Sequence, residues 1–227
     1  MRSKVSKQSG FTLVEIAIVL VIIGLLLGGV LKGQEMITSS KVKSLAGGAD
    51  GIVAAFNTYQ DRYRALPGDD ANVALPVARF SLQDCGGVAV CGVATGGTLG
   101  NGQIEGGWNI VTAGATAGLV GSTIESRMFW QQLRAAKLIG TDGSVDPSIQ
   151  PKNPMGGYYG VQYVATNGLP NGNNLHITNI MGKEAALLDT MLDDGVMNQG
   201  SVRGAGYAAL AAPYVDGTAY TVVKPLK

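Results

Sequence analysis

From Phe11 to Leu31 the chain reads FTLVEIAIVLVIIGLLLGGVL, an apolar run broken only by Thr12 and Glu15. No other segment restricts the fold so strongly. As an α-helix, a run of this length rises to about 31 Å, the thickness of a bilayer's hydrocarbon core. Lys32 ends it. The ten residues ahead of it, MRSKVSKQSG, carry Arg2, Lys4 and Lys7 and no acid. Basic residues before an apolar helix predict a cytoplasmic N-terminus with the rest of the chain outside.

A secretory signal peptide shares this outline, but it expects a small-residue cleavage site of the A-x-A kind after the apolar stretch. Here the chain continues as KGQEMITSSKVKSLAGGA, still helical in its periodicity, so the apolar helix is expected to be retained. Glu15 then needs an explanation. An acid inside an apolar, membrane-length helix is expensive, and such acids usually have a partner or a task.

The segment Gly10-Phe11-Thr12-Leu13-Val14-Glu15, with a basic leader before it and a long apolar helix after it, resembles the class III signal of type IV prepilins and of type II secretion pseudopilins. The resemblance implies a prepilin peptidase that cuts after Gly10 and methylates the new N-terminus, Phe11. It implies that the apolar helix becomes the packing core of a filament raised on an inner-membrane assembly platform. It also implies that Glu15 meets the N-terminal amine of a neighbouring subunit and so sets register. The chemistry agrees, because cleavage creates a cation at Phe11 and Glu15 in an apolar setting needs one. The implied itinerary is the inner membrane, with the head periplasmic, and then an extracellular pilus or a periplasmic pseudopilus. Many pilins break this helix with a proline where this chain has Lys32, and Gly28, Gly29 and Gly33 offer another route to local unwinding.

Loss of the leader changes the charge balance. The whole chain has 17 basic and 16 acidic residues, net +1; without Arg2, Lys4 and Lys7 it has 14 against 16, net −2. That balance argues against a nucleic-acid partner. One His and two Cys leave little for a zinc site of ordinary composition.

Four segments are expected: a cleaved leader 1–10, a transmembrane and filament-core helix 11–31, an amphipathic continuation 32–66, and a globular head 67–227. In the continuation Leu45, Ile52, Phe56, Tyr59 and Tyr63 recur on one helical face, with Lys41, Lys43, Asp61, Arg62 and Arg64 available for the others. Pro67-Gly68 stops the helix. The expected fold is α+β, a long N-terminal helix packed on a small antiparallel-sheet head.

Within the head, residues 86–121 hold 12 glycines and a single charge, Glu105, which reads as loops and turns. Trp108, Ile110, Leu119 and Val120 suggest partial packing there. The glycines of GNGQIEGG lack the flanking strand, helix and acid of a dinucleotide site. Cys85 and Cys91 are expected to pair if the head is extracytoplasmic, where a disulfide is the natural state; free thiols are the alternative. Ser122 to Leu138 predicts a second helix, with Ser122 and Glu125 as a capping box and Gly140 as the stop. Ile124, Met128, Leu133 and Leu138 would face inward, with Phe129 and Trp130 on a flank. Tyr158–Ala165 and Leu175–Ile180 read as strands, with Asn171-Gly172 marking a turn. His176, on the polar phase of the second strand, reads as a surface or edge residue. Lys183–Leu192 reads as a short helix, and Tyr214–Val223 as a final edge strand.

Asp193-Asp194-Gly195 follows the short helix. Paired acids offer the hard oxygens that suit Ca2+, but the EF-hand pattern is absent. A solvated helix end closed by glycine is the simpler reading, and Asp69-Asp70 is open in the same way. No nucleophile elbow, HExxH or P-loop pattern occurs, so no enzyme is expected. The sequence supports a structural pilin-type subunit, with a type II secretion pseudopilin or a monomeric membrane-anchored ligand-binding protein as alternatives.

Overall fold

A computed structural model describes residues 12–71, 80, 97–107, 124–140, 148–164, 171–205 and 213–226. The chain divides into two compact units, one ending at Ser40 and the other beginning at Lys41. The longest element is helix α1, Leu13–Tyr63. After it come α2 (Glu125–Ala135), β1 (Tyr159–Val164), β2 (Gly172–Met181), α3 (Gly182–Leu192), β3 (Arg203–Ala205) and β4 (Ala219–Pro225). The architecture is the α+β one expected, a long apolar N-terminal helix and a small antiparallel sheet.

In the first unit the apolar side chains of α1 point in every direction and stay exposed, from Leu13 through Leu20, Leu25 and Leu31 to Ile37. The helix satisfies its own backbone hydrogen bonds, and that makes such a segment compatible with lipid.

The second unit is organised on α1 from Lys41 onward. Val42, Leu45, Ala49, Ile52, Phe56 and Tyr59 are buried at spacings of three and four, which places them on one stripe. Tyr63 is half-buried at its end. The helix closes at Tyr63, ahead of Pro67, with Arg64 in the left-handed region at φ 55° and its N–H donating to the Gln60 carbonyl at 2.8 Å.

The sheet has the order β1-β2-β4-β3 with antiparallel pairing throughout. β2 pairs with β1 through Tyr159↔Ile177 and Val161↔Leu175, and with β4 through His176↔Val223 and Ile177↔Val222. A register shift between Ile177 and Ile180 interrupts the β2–β4 ladder, and Asn179 there has a φ of 59°. Two expectations are corrected. The final strand is interior, because β3 pairs on its far side. His176 is only 1% exposed: residues 174–177 are buried without interruption, so both faces of this central strand are covered and alternation carries no information about exposure.

α2 is buried along its whole length. Phe129 and Trp130, expected on a flank, are fully buried and join the core. Phe129 stacks on Phe56 of α1 at 6.3 Å between ring centroids, and Trp130 meets Phe129 edge-on at 4.8 Å. Burying rings of this size contributes about 1.5–3 kcal/mol each. The cap of α2 differs from expectation. Its N-cap is Ile124, extended and without a side-chain cap, and Lys137 takes the left-handed conformation at φ 59° ahead of Gly140. Ser122 lies outside the described residues, as do Trp108, Ile110, Leu119 and Val120.

Gly48 sets how closely the sheet approaches α1. The Tyr159 hydroxyl donates to the Leu45 carbonyl at 3.1 Å, and burial pushes that hydroxyl's pKa up to about 12. A Cβ on Gly48 would collide with this hydroxyl and stand 3.1 Å from the ring carbon that carries it, whereas one on Gly47 would meet nothing within 4 Å. Thermal melts of the full chain in detergent are therefore expected to separate neighbouring substitutions. Gly47→Ala gains about 0.5–1 kcal/mol of helix propensity. Gly48→Ala loses about 1–3 kcal/mol by overpacking. Equal shifts in the same direction would refute the close approach.

Candidate functional site

The first turn of α1 carries the residues the sequence singles out. Gly10 and Phe11 lie outside the described residues; Glu15 lies within them. The Thr12 N–H donates to Glu15 Oε2 at 2.9 Å and the Thr12 hydroxyl to the same oxygen at 2.7 Å, while the Glu15 N–H approaches Thr12 Oγ1 at 3.3 Å. This reciprocal arrangement is a capping box, in which the N-cap residue and the third helical residue satisfy each other's backbone donors. The spacing Thr-x-x-Glu carries that signal in the sequence. Glu15 therefore has a local partner, and an acid in the first turn is also favoured by the helix dipole.

Beyond the cap, none of the most apolar stretch of α1 is buried within the chain. The helix is long and apolar enough to cross a membrane. A Cβ on Gly24, Gly28, Gly29 or Gly33 would meet no atom within 4 Å. Among the described residues nothing packs against these glycines, and small residues of this kind let helices approach closely in membranes.

In the head, the structure resolves Asp69-Asp70 as structural. Asp70 is buried and accepts the Tyr59 hydroxyl at 2.9 Å. Asp69 accepts the Gly102 N–H at 2.7 Å through Oδ2 and the Gly100 N–H through Oδ1. Glu125, fully buried, accepts the Glu105 N–H at 2.7 Å, and Glu105 accepts the Thr98 N–H at 3.1 Å. These carboxylates tie residues 97–105 to the ends of α1 and α2. Burial pushes the Asp69 and Glu125 carboxyls up, and the neighbouring acid charges add to it. Cys85 and Cys91 lie outside the described residues.

Asp193 and Asp194 follow α3 and are exposed, and the structure adds a residue the sequence reading omitted. Asp189, one turn earlier, is fully buried. It lies in the last turn of α3, where its carbonyl accepts the Asp193 N–H at 2.7 Å. Asp189 Oδ2 accepts the Tyr214 hydroxyl at 2.8 Å. Asp193 Oδ2 accepts the Ser201 N–H, the Ser201 hydroxyl at 3.2 Å and the Val202 N–H at 3.0 Å. Asp194 Oδ1 accepts the Val196 N–H at 2.8 Å. Burial pushes Asp189 up, helped by the charges of Asp194 and Asp193; the Val202 and Ser201 amides hold Asp193 down.

Residues 5–31 match the prokaryotic N-terminal methylation motif, the prepilin-type signal of type IV pilins and pseudopilins. Gly10, Phe11 and Glu15 fall inside the matched segment. With the long helix and four-stranded antiparallel sheet, the match supports a pilin-like or pseudopilin protein, and it points to a structural subunit. No curated protein and no solved structure matches the chain.

The buried His176 makes a separate prediction about acid. Burial lowers its pKa to about 4, against 6.5 ordinarily. Its folded pKa lies below the unfolded one, so stability is lost as pH falls from 6.5 toward 4, where the unfolded chain takes up a proton that the folded ring refuses. Between pH 7 and pH 4.5, His176 should remove about 2–3 kcal/mol. The raised carboxyls of Asp69, Glu125 and Asp189 act in the opposite sense, so the readout is a difference: urea midpoints of the wild type against His176→Gln at both pH values. An equal acid loss in the two proteins would mean that the ring is already solvated.

Proposed function

We propose that this chain is a structural subunit of a type IV pilus or a related pilus-like filament. In this reading residues 1–10 are removed after Gly10 and the Phe11 amine is methylated. Residues 11–31 anchor the subunit in the inner membrane and then form the filament core, residues 32–66 carry the helix onward, and residues 67–227 form the head. Before assembly the N-terminus faces the cytoplasm and the head the periplasm. One observation carries the proposal: a prepilin-type signal leads directly into a helix whose large apolar side chains, from Leu13 to Ile37, are exposed among the described residues. Exposed apolar surface on that scale needs either lipid or like helices around it, and a filament subunit uses both in succession.

Mass spectrometry of the mature protein is expected to find an N-terminal Phe11 bearing one methyl group. An intact Met1, or a terminus beyond Leu31, would overturn the reading. A type II secretion pseudopilin carries the same signal, so mechanical shearing separates the two: abundant fibres released from the cell surface indicate a pilus.

The function of Glu15 separates into cap and charge. Glu15→Gln keeps an oxygen that can accept from Thr12 but removes the charge, whereas Glu15→Ala removes both. If the acid meets a neighbouring Phe11 amine, both variants should be processed normally and yield at least about tenfold fewer filaments, since a charge-assisted contact has lost its charge. Wild-type filament yield from Glu15→Gln would reduce Glu15 to a capping residue.

A further inference from the structure

Glu125 opens α2 fully buried, and its two carboxylate oxygens are in different situations. Oε2 accepts the Glu105 N–H at 2.7 Å. Oε1 is buried and has no hydrogen-bond partner among the described residues. It faces another acid. A Cβ on Gly97 would overlap Glu125 Oε1 and stand 2.6 Å from Glu105 Oε2, so both oxygens border one hollow. Two ionised carboxylates in such a place repel each other, and a buried ionised oxygen without a donor adds a desolvation cost. One proton removes both penalties. On Glu125 Oε1 it turns an acceptor without a donor into a donor for Glu105 Oε2.

The remaining contacts of Glu105 leave room for that bond. Its Oε2 accepts the Thr98 N–H at 3.1 Å and its Oε1 the Asn101 amide at 3.3 Å, while a carboxylate has sites for about four donors. Its carbonyl accepts the Ser126 N–H at 3.1 Å. Glu105 is thus fastened to the start of α2 by its backbone on both sides. From there the segment reaches the sheet: the Tyr163 N–H donates to the Ile104 carbonyl at 2.8 Å, and the Ile104 N–H to Asn173 Oδ1 at 2.8 Å. The charges that bear on Glu125 are those of Glu105, in the facing segment, and Asp69, which follows α1; both oppose its ionisation. Arg127, on α2 itself, is two residues further on, which turns it to the other side of the helix.

We infer that Glu125 and Glu105 share one proton in the folded head, and that this proton latches residues 97–105 onto α2 until alkaline surroundings remove it. When it leaves to water, two negative charges border one buried hollow, and the segment is pushed off the helix. The sign follows from burial. The Glu125 carboxyl titrates above its ordinary value of 4.5 in the folded head, so the stabilisation is complete below that value and is lost as pH rises through the folded one. Opening would also free the Tyr163 N–H and Asn173, which residues 97–105 now hold. The inference does not rest on the filament reading.

The test melts the full chain in detergent between pH 5 and pH 8.5 and follows the carbonyl stretch of neutral carboxyls by infrared spectroscopy. At pH 6 an exposed glutamate is ionised. The wild type is expected to show a neutral-carboxyl band at pH 6 that fades by pH 8.5 and that Glu125→Gln lacks. Glu125→Gln keeps an acceptor for the Glu105 N–H and places a permanent donor where the proton would sit. Its melting temperature should therefore fall across this range by at least about 2–4 °C less than the wild type's. Glu105→Gln tests the sharing: the alkaline loss should shrink, and the band should disappear at a lower pH. The double variant should behave as Glu125→Gln alone, because either change removes the same pair. If Glu125→Gln fails to fold, the band in Glu105→Gln against the wild type decides. Equal alkaline losses in the wild type and Glu125→Gln, or no wild-type band at pH 6, would overturn the inference. A loss and a band unchanged by Glu105→Gln would leave a lone buried acid and overturn it equally.

Discussion

The pattern of apolar residues along α1 changes character near residue 41, and the rest of the chain depends on that change. Up to Ile37 the large apolar side chains lie on all sides and none is covered. From Val42 to Tyr59 they keep to one stripe, and that stripe is the floor of the head's core. A helix apolar all round is stable only in an apolar surrounding, whereas one apolar on a single face asks for a partner element. The partner is supplied by the sheet and by α2, and Tyr159 and Phe129 make the specific contacts. Gly48 matters because it has no side chain. It lets a tyrosine hydroxyl reach the helix backbone at Leu45, where a larger surface would hold the sheet away.

Several of the head's described acids hold backbone in place. Asp69, Glu125 and Asp193 accept backbone N–H groups from segments with no regular structure of their own. A loop rich in glycine has few side chains with which to anchor itself, so its amides become the handles. A carboxylate that accepts two or three of them replaces the ladder a strand would have provided. Lys224 with Asp50 is a contrasting case, an ion pair joining β4 to the outer side of α1. The low charge and high glycine content of the sequence therefore describe one construction principle. Charges are spent where they fix backbone.

The sequence was most legible where the governing interaction is local. The buried stripe of α1 follows from 3.6-residue periodicity, and β1 and β2 from the enrichment of β-branched and aromatic residues around a turn. It was least legible where the outcome depends on pairing between distant segments. Nothing near His176 reveals that β4 will lie beside it, nor anything near Tyr220 that β3 will turn β4 into an interior strand. Strand order is set by which edges meet, and a short strand such as Arg203–Ala205 leaves hardly any pattern to read. Two features of the site leave only faint marks in the sequence. Thr12 and Glu15 have capping-box spacing, eclipsed by the more conspicuous question of an acid in an apolar helix. Asp189 precedes Asp193 by one turn, but its burial, which makes it informative, belongs to the packing around Tyr214.

The cap at Thr12 bears on what Glu15 contributes in the proposed filament. A glutamate free to rotate would give up side-chain entropy on meeting a neighbouring amine, and that cost reduces the gain from any single contact. Here both donors of Thr12 engage Oε2, so the carboxylate is already held at the helix N-terminus. The two tasks do not compete, because an ionised carboxylate has lone pairs for several donors. Cleavage after Gly10 would place the new amine one residue before Thr12, next to the same turn. In the proposed filament the capping box would orient the acid before any neighbour arrives, so a cation supplied by another subunit would meet an acceptor already held in the helix's first turn. Under that proposal, the acid that sets register would have its orientation determined by the cap before assembly begins.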